Sequence, residues 1–149
     1  MKRFVFSLQP LLKLKRINEK QKKTELAEIQ NRLNELYAEK EELERRLEES
    51  SIGYKKEMRK GMPPPRMAWY ANFADYLQAH LKALNASICE AERIKEAKQS
   101  ELVTLMKEIK TIEKLREEQY RAYLEEAAKD EERVLGDLIS YNKSVEKTG

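Results

Sequence analysis

Few residues in this chain are of a type that could do chemistry. There is one histidine, His80, and one cysteine, Cys89. No cysteine or carboxylate cluster stands at ligand spacing around His80, so it reads as a seam or surface side chain of a helix rather than a metal ligand. A single cysteine excludes an internal disulfide and fits a reducing compartment. Beside Ile88, Cys89 reads as a small buried or half-buried thiol. Gly53, Gly61, Gly136 and Gly149 are too scattered to build a phosphate-cradling loop. The many carboxylates have basic residues three or four positions away, the pattern of solvated helix charges. The sequence therefore predicts no enzyme, no metal site and no cofactor.

What remains is a chain built to bind, and the elements that present its surface come from the apolar spacing. Of 149 residues, 38% are charged and 7% aromatic, with four Gly and four Pro. That composition belongs to long helices or coiled coil. Disorder is the competing reading for such charge, and the regular apolar spacing weakens it. Leu26, Ile29, Leu33, Leu36, Lys40, Leu43, Leu47, Ser50 and Tyr54 recur in alternating steps of three and four, a coiled-coil seam. Extended backwards, the frame meets Lys22, Glu19 and Lys15 before Leu12 and Leu8. The spacing there admits a competing stripe, Leu11, Leu14 and Ile17. A second seam reads Phe73, Leu77, His80 or Leu81, Leu84, Ile88, Ala91, Lys95, Lys98, Leu102, Leu105, Ile109 and Ile112. It then blurs through Leu115, Gln119, Tyr123, Ala127, Val134, Leu138 and Tyr141.

Ser7 is placed to cap the first helix, with Pro10 in its first turn, where a missing amide hydrogen costs nothing. Gly61 and three consecutive prolines end it. The expected fold is all-α: a long two-helix antiparallel coiled-coil hairpin with its turn near residues 60–66 and the second helix the longer. As a single domain over 1–149, it divides into an arm (1–6), helix one (8–60), a Pro-rich turn (61–66), helix two (67–145) and a tail (146–149). Folding about residue 63 brings residue n near residue 126 − n and leaves residues beyond about 126 without a partner. Both chain ends then share one pole. There a basic start, with eight cations against Glu19 in residues 2–23, neighbours the acidic stretch 117–137.

The opening "MKRFVFSLQPLLKLKR" imitates a secretory signal, but "KLKRINEKQKK" follows at once with no small-residue cleavage site. No uncharged apolar run approaches the ~20 residues of a spanning helix. A net charge of +3 argues against general nucleic-acid binding, and the basic start has too few aromatics for base stacking. Tyr54, Trp69, Tyr70, Phe73 and Tyr76, with Met58, Met62 and Met67, gather around the turn. They read either as a small core closing the hairpin or as a protein-docking surface.

"MKRFVFSLQPLLKLKRINEKQKKTELAEIQNRLNEL" resembles the start of the FliJ family of flagellar export proteins. The family shows a short basic arm with Phe, an "LQ-x-LL-x-L" segment and then a charged helix. "YANFADYLQAHLKALNASI" looks like the family's second helix start. The resemblance implies a soluble, non-enzymatic component of flagellar type III export, monomeric alone, at the cytoplasmic face of the cell membrane. It implies a stalk-like coiled coil that binds the export ATPase hexamer, contacts the export gate's cytoplasmic domain and assists substrate chaperones. Flagellum assembly, motility and chemotaxis would depend on it, with peripheral membrane contact made through partners and no nucleic acid bound. On this resemblance Arg3, Phe4, Phe6, Leu8, Leu11, Leu12, Lys13, Lys15 and Arg16 would dock the ATPase. The gate would meet Leu43, Leu47, Ser50 and Tyr54 on helix one and Phe73, Leu77, His80 and Leu84 on helix two. Ser50 stands where the family has an aromatic. A stalk protein of a virulence type III secretion system would share this architecture. A generic structural coiled-coil scaffold is the reading from another class, and it should dimerise strongly.

Overall fold

The computed structural model describes residues 2–148. It is an all-α antiparallel hairpin of two helices, α1 (Gln9–Lys60) and the longer α2 (Pro64–Thr148). The start of α1 is tied by main-chain bonds, with Gln9 N–H donating to the Phe6 carbonyl at 3.1 Å and Leu12 N–H to the Leu8 carbonyl at 2.9 Å. Leu8 thus occupies the capping position expected at Ser7. At the other end Gly61 adopts φ 86°, the left-handed region that ends helices cheaply only for glycine. The second helix begins inside the stretch read as turn. Pro64 and Pro65 fill its first positions, where amide hydrogens are orphans in any helix, and the Pro63 carbonyl accepts from Arg66 and Met67. Helix-breaking residues here act as helix starters. The helix also runs past residue 145, through Thr148. Met1 and Gly149, placed in the expected arm and tail, lie outside the described residues.

The chain divides into two compact units. The unit Gln21–Leu102 holds the turn. Its core sets Leu33, Leu36 and Leu43 of α1 against Leu77, Leu84, Ile88 and Ala91 of α2. Ile29, Leu47, Phe73 and Leu81 flank them. Burying each such leucine is worth about 1.5–3 kcal/mol, the main force closing the hairpin. Of the two candidates near position 80, Leu81 takes the seam and His80 faces solvent, because a step of four from Leu77 keeps to the buried face. Cys89 is exposed, not buried or half-buried: it follows Ile88, and one helical step of about 100° turns it out of the seam. Charged rungs border this core: Lys22 to Glu101 at 2.7 Å, Lys98 to Glu25 at 2.9 Å, and the Tyr37 hydroxyl to Glu92 at 2.8 Å. Each partner lies within one helical turn of the expected fold-back register.

The other unit comprises the residues up to Lys20 and those from Val103 on. Phe6 and Leu12 are buried against Ile109 and Ile112, with Phe4, Leu8 and Leu105 beside them. The Phe4 ring meets Tyr120 edge-on at 5.1 Å and Tyr123 at 5.5 Å, and the Tyr123 hydroxyl donates to the Lys2 carbonyl at 2.6 Å. The arm is thus folded back onto α2. The seam frame of α1 holds to its start through half-buried Lys22, Glu19 and Lys15. The competing stripe does not take over, since Leu11, Leu14 and Ile17 face outward. Long lysine stems cover a seam while their ammonium groups reach its edge, and Lys15 does so by pairing with Glu108 at 2.7 Å.

Candidate functional site

The residues that can meet a partner are those the two cores do not use. Among those expected to dock an ATPase, Phe6 and Leu12 are buried, and Phe4 and Leu8 are half-buried; all four belong to the packing of the arm. Lys15 is engaged by Glu108, and Arg16 by Glu113 at 2.9 Å. Arg3, Leu11 and Lys13 face solvent. So do Leu14 and Ile17, at 54% and 55% exposure, which continue the outward apolar face beside Lys13.

In the same unit, α2 continues beyond Ala127 with Val134, Leu135, Leu138, Ile139, Tyr141 and Val145 all more than half exposed. Val134, Leu138, Tyr141 and Val145 recur in steps of four, three and four. This is the seam rule again, in a stretch whose pattern otherwise blurs. Acidic residues border it, including Asp130 and Glu131 beside Val134 and Leu138 on one shallow face.

Near the turn, Leu43, Leu77 and Leu84 of the expected gate-docking set are buried in the hairpin core. Leu47, Ser50, Tyr54 and Phe73 are half-buried, and His80 is exposed with its ring tilted against Tyr76 at 6.3 Å. The aromatic cluster is divided between packing and exposure. Tyr70 is buried and meets Tyr54 edge-on at 5.5 Å, while Trp69 and Tyr76 are exposed. Small side chains open a groove here: Ser50 and Ser51 of α1 face Ala71 and Ala74 of α2, with Leu47, Tyr54, Met67, Tyr70 and Gln78 completing its walls.

The groove's end is fixed by a polar tie across the turn. Arg66 of α2 grips the Glu57 carboxylate of α1 with two nitrogens, at 3.0 and 3.1 Å. The Tyr70 hydroxyl donates to the same carboxylate at 3.0 Å. Glu57 is held below the usual carboxylate range, first by the Arg66 hydrogen bonds and then by Tyr70. Burial, then the bond to Glu57, raises Tyr70 above the ordinary phenol value. Gly53 makes room for this: a Cβ there would stand 3.2 Å from the Tyr70 hydroxyl. The Arg66 guanidinium lies 4.6 Å over the Trp69 ring, and Trp69 stacks on Phe73 at 5.3 Å with 8° between planes.

Among the described residues no His, Cys, Asp or Glu group is placed to hold a metal ion, and no helix is long and apolar enough to cross a membrane. A family model described as "Flagellar FliJ protein" matches residues 4–144. Neither a curated protein nor a solved structure matches the chain.

Proposed function

The chain belongs to the flagellar FliJ protein family, a structural component of flagellar protein export, and on that premise we propose that it is the stalk-like partner of the export ATPase. In this reading the protein works at the cytoplasmic face of the membrane. The unit that carries both chain ends docks into the hexameric ring, the turn end engages the export gate's cytoplasmic domain, and substrate chaperones are handed over along the way. Flagellum assembly, and with it motility and chemotaxis, depends on this protein.

One observation carries the reading. The unit holding both termini is internally packed yet leaves two apolar faces uncovered, Leu11, Leu14 and Ile17 on α1 and Val134 to Val145 on α2. Exposed contiguous apolar surface bordered by charge marks a protein-binding site, and Arg3 and Lys13 supply charge that speeds encounter. At the turn end, gate contact falls to Ser50, Tyr54, Phe73 and exposed His80, while Leu43, Leu77 and Leu84 act by holding the two helices together.

The test is ATP hydrolysis by the purified cognate export ATPase, titrated with the full chain, with a version lacking residues 2–16, and with Leu14→Glu/Ile17→Glu. Stimulation by the full chain, lost in both variants, is expected. The double substitution is informative because it leaves Phe6 and Leu12 in place. If the double variant stimulated the ATPase as the full chain does, docking through this face would be wrong.

A further inference from the structure

We propose that the turn end of the hairpin binds an anionic membrane surface directly, with Trp69 entering the headgroup layer among Lys55, Lys56, Arg59, Lys60 and Arg66. This goes beyond the export reading above, in which membrane contact runs through protein partners.

The first argument is charge. Between Ser50 and Ala74 the chain carries these five cations and one carboxylate, Glu57, a local +4 against +3 for the whole chain. All five cations are exposed. Glu57 is already engaged by Arg66 and Tyr70. Arg59 and Lys60 lie in the last turn of α1, where they complement the negative end of the helix dipole. That role explains two of the five and none of the exposed apolar side chains.

The second argument is placement. Lys55 with Arg59, and Lys56 with Lys60, are each one turn apart, and the two pairs stand about 100° apart on the exposed side of the end of α1. Ile52, 49% exposed, precedes them. Lys60 lies three residues from Glu57 on α1, and the Glu57 carboxylate binds Arg66, which in turn lies over Trp69. Arg66 thus ties the indole of α2 to the end of α1, where Met58 is also exposed.

The third argument selects the occupant. An acidic helix would need a groove lined by cations alone; of two shallow grooves at this end, one has no charged residue in its walls and the other, beside Trp69, sets Glu49 among Arg46 and Arg66. The cations stand on outward faces around the turn, the arrangement that meets a flat anionic plane. Tryptophan partitions to the headgroup level, and each Lys or Arg near an anionic leaflet strengthens binding about fivefold.

Trp69 is the chain's one tryptophan, so its emission reports this site. The full chain is mixed with vesicles of phosphatidylcholine alone, or of equal parts phosphatidylcholine and phosphatidylglycerol, with pelleting measured in parallel. The expected result is a blue shift with the anionic vesicles only, quenched by brominated lipid. Lys55→Glu/Lys56→Glu, both exposed and checked for helicity, should weaken binding at least about tenfold. Arg3→Glu/Lys13→Glu should leave the Trp69 shift intact. Pelleting with no change in Trp69 emission would assign lipid contact to the other basic segment and overturn the proposal. No response to anionic vesicles, with capture of an acidic protein partner instead, would overturn it as well.

Discussion

Single residues fix the turn, and each has a measurable consequence. Gly61 sits at φ 86° with no atom within 4 Å of where a Cβ would stand, so its constraint is backbone conformation and not space. Gly61→Ala should lower stability by about 1 kcal/mol in a denaturant titration; an unchanged midpoint would mean the turn relaxes to another conformation. Gly53 presents the opposite case. It lies inside a helix, where alanine gains about 1 kcal/mol in propensity, yet the new methyl would crowd the Tyr70 hydroxyl at 3.2 Å. Gly53→Ala should therefore recover only part of that gain in thermal melts. Gly53→Ala/Tyr70→Phe should melt higher than Tyr70→Phe alone by nearly the whole of it. Equal gains in the two backgrounds would show that Tyr70 is not what the glycine accommodates.

At the scale of elements, the heptad spacing was enough to place most of both seams, because the period of apolar residues is the direct imprint of a buried helix face. It predicted Leu33, Leu36 and Leu43 on α1 and Leu77, Leu84 and Ile88 on α2 as packed residues, and all six are buried. It was ambiguous where polar side chains occupy seam positions. Leu11, Leu14 and Ile17 look more apolar than Lys15, Glu19 and Lys22, but the frame is set by continuity with the packed leucines further along, and the charged stems follow it. α2 starts three residues before the expected 67, because Pro64 and Pro65 occupy positions whose amides the first turn of a helix leaves unpaired. Exposure of docking residues was least legible, since one spacing marks both a seam and a binding stripe. Leu43 and Leu77, expected at the gate, are buried in the hairpin core, while Val134 and Leu138, expected along the blurred seam, are exposed. That distinction is testable on α2. Leu138→Glu should leave the melting temperature within about 1 °C of the parent and abolish stimulation of the export ATPase. A large loss of stability would show that the face is already covered in the free protein.

At the scale of the whole molecule, ion pairs within and between the helices share the work of stabilising the hairpin with the apolar cores. Glu25, Glu42, Glu57 and Glu90 are held below the ordinary glutamate value of 4.5, chiefly by Lys98, Arg45, Arg66 and Arg93 respectively. A depressed carboxylate contributes its full stability above its unfolded value and loses it as pH falls through its folded one. Lys22, raised above 10.5 by Glu101, contributes below 10.5 and loses its share as pH climbs through the raised value. Melting temperature should therefore be flat near neutrality, fall on acidification through and below pH 4.5, and fall again in strong alkali. These groups are exposed, so the slopes should be shallow and flattened further by salt. The cores set the larger differences. Leu33 is fully buried and belongs to the more extensive cluster, and Leu12 is nearly so in the smaller one. Either leucine to alanine should cost about 2–5 kcal/mol where its loss is felt. The clusters lie in separate units, so the losses should be felt in different places. In native-state hydrogen exchange, Leu12→Ala should speed exchange of amides in the unit of the chain ends and leave amides near Leu33 and Leu84 protected as in the parent. Leu33→Ala should deprotect its own unit. Equal deprotection throughout the chain by either substitution would show that the two clusters open as one cooperative whole, and a partner gripping the termini would then stabilise the turn end to the same degree.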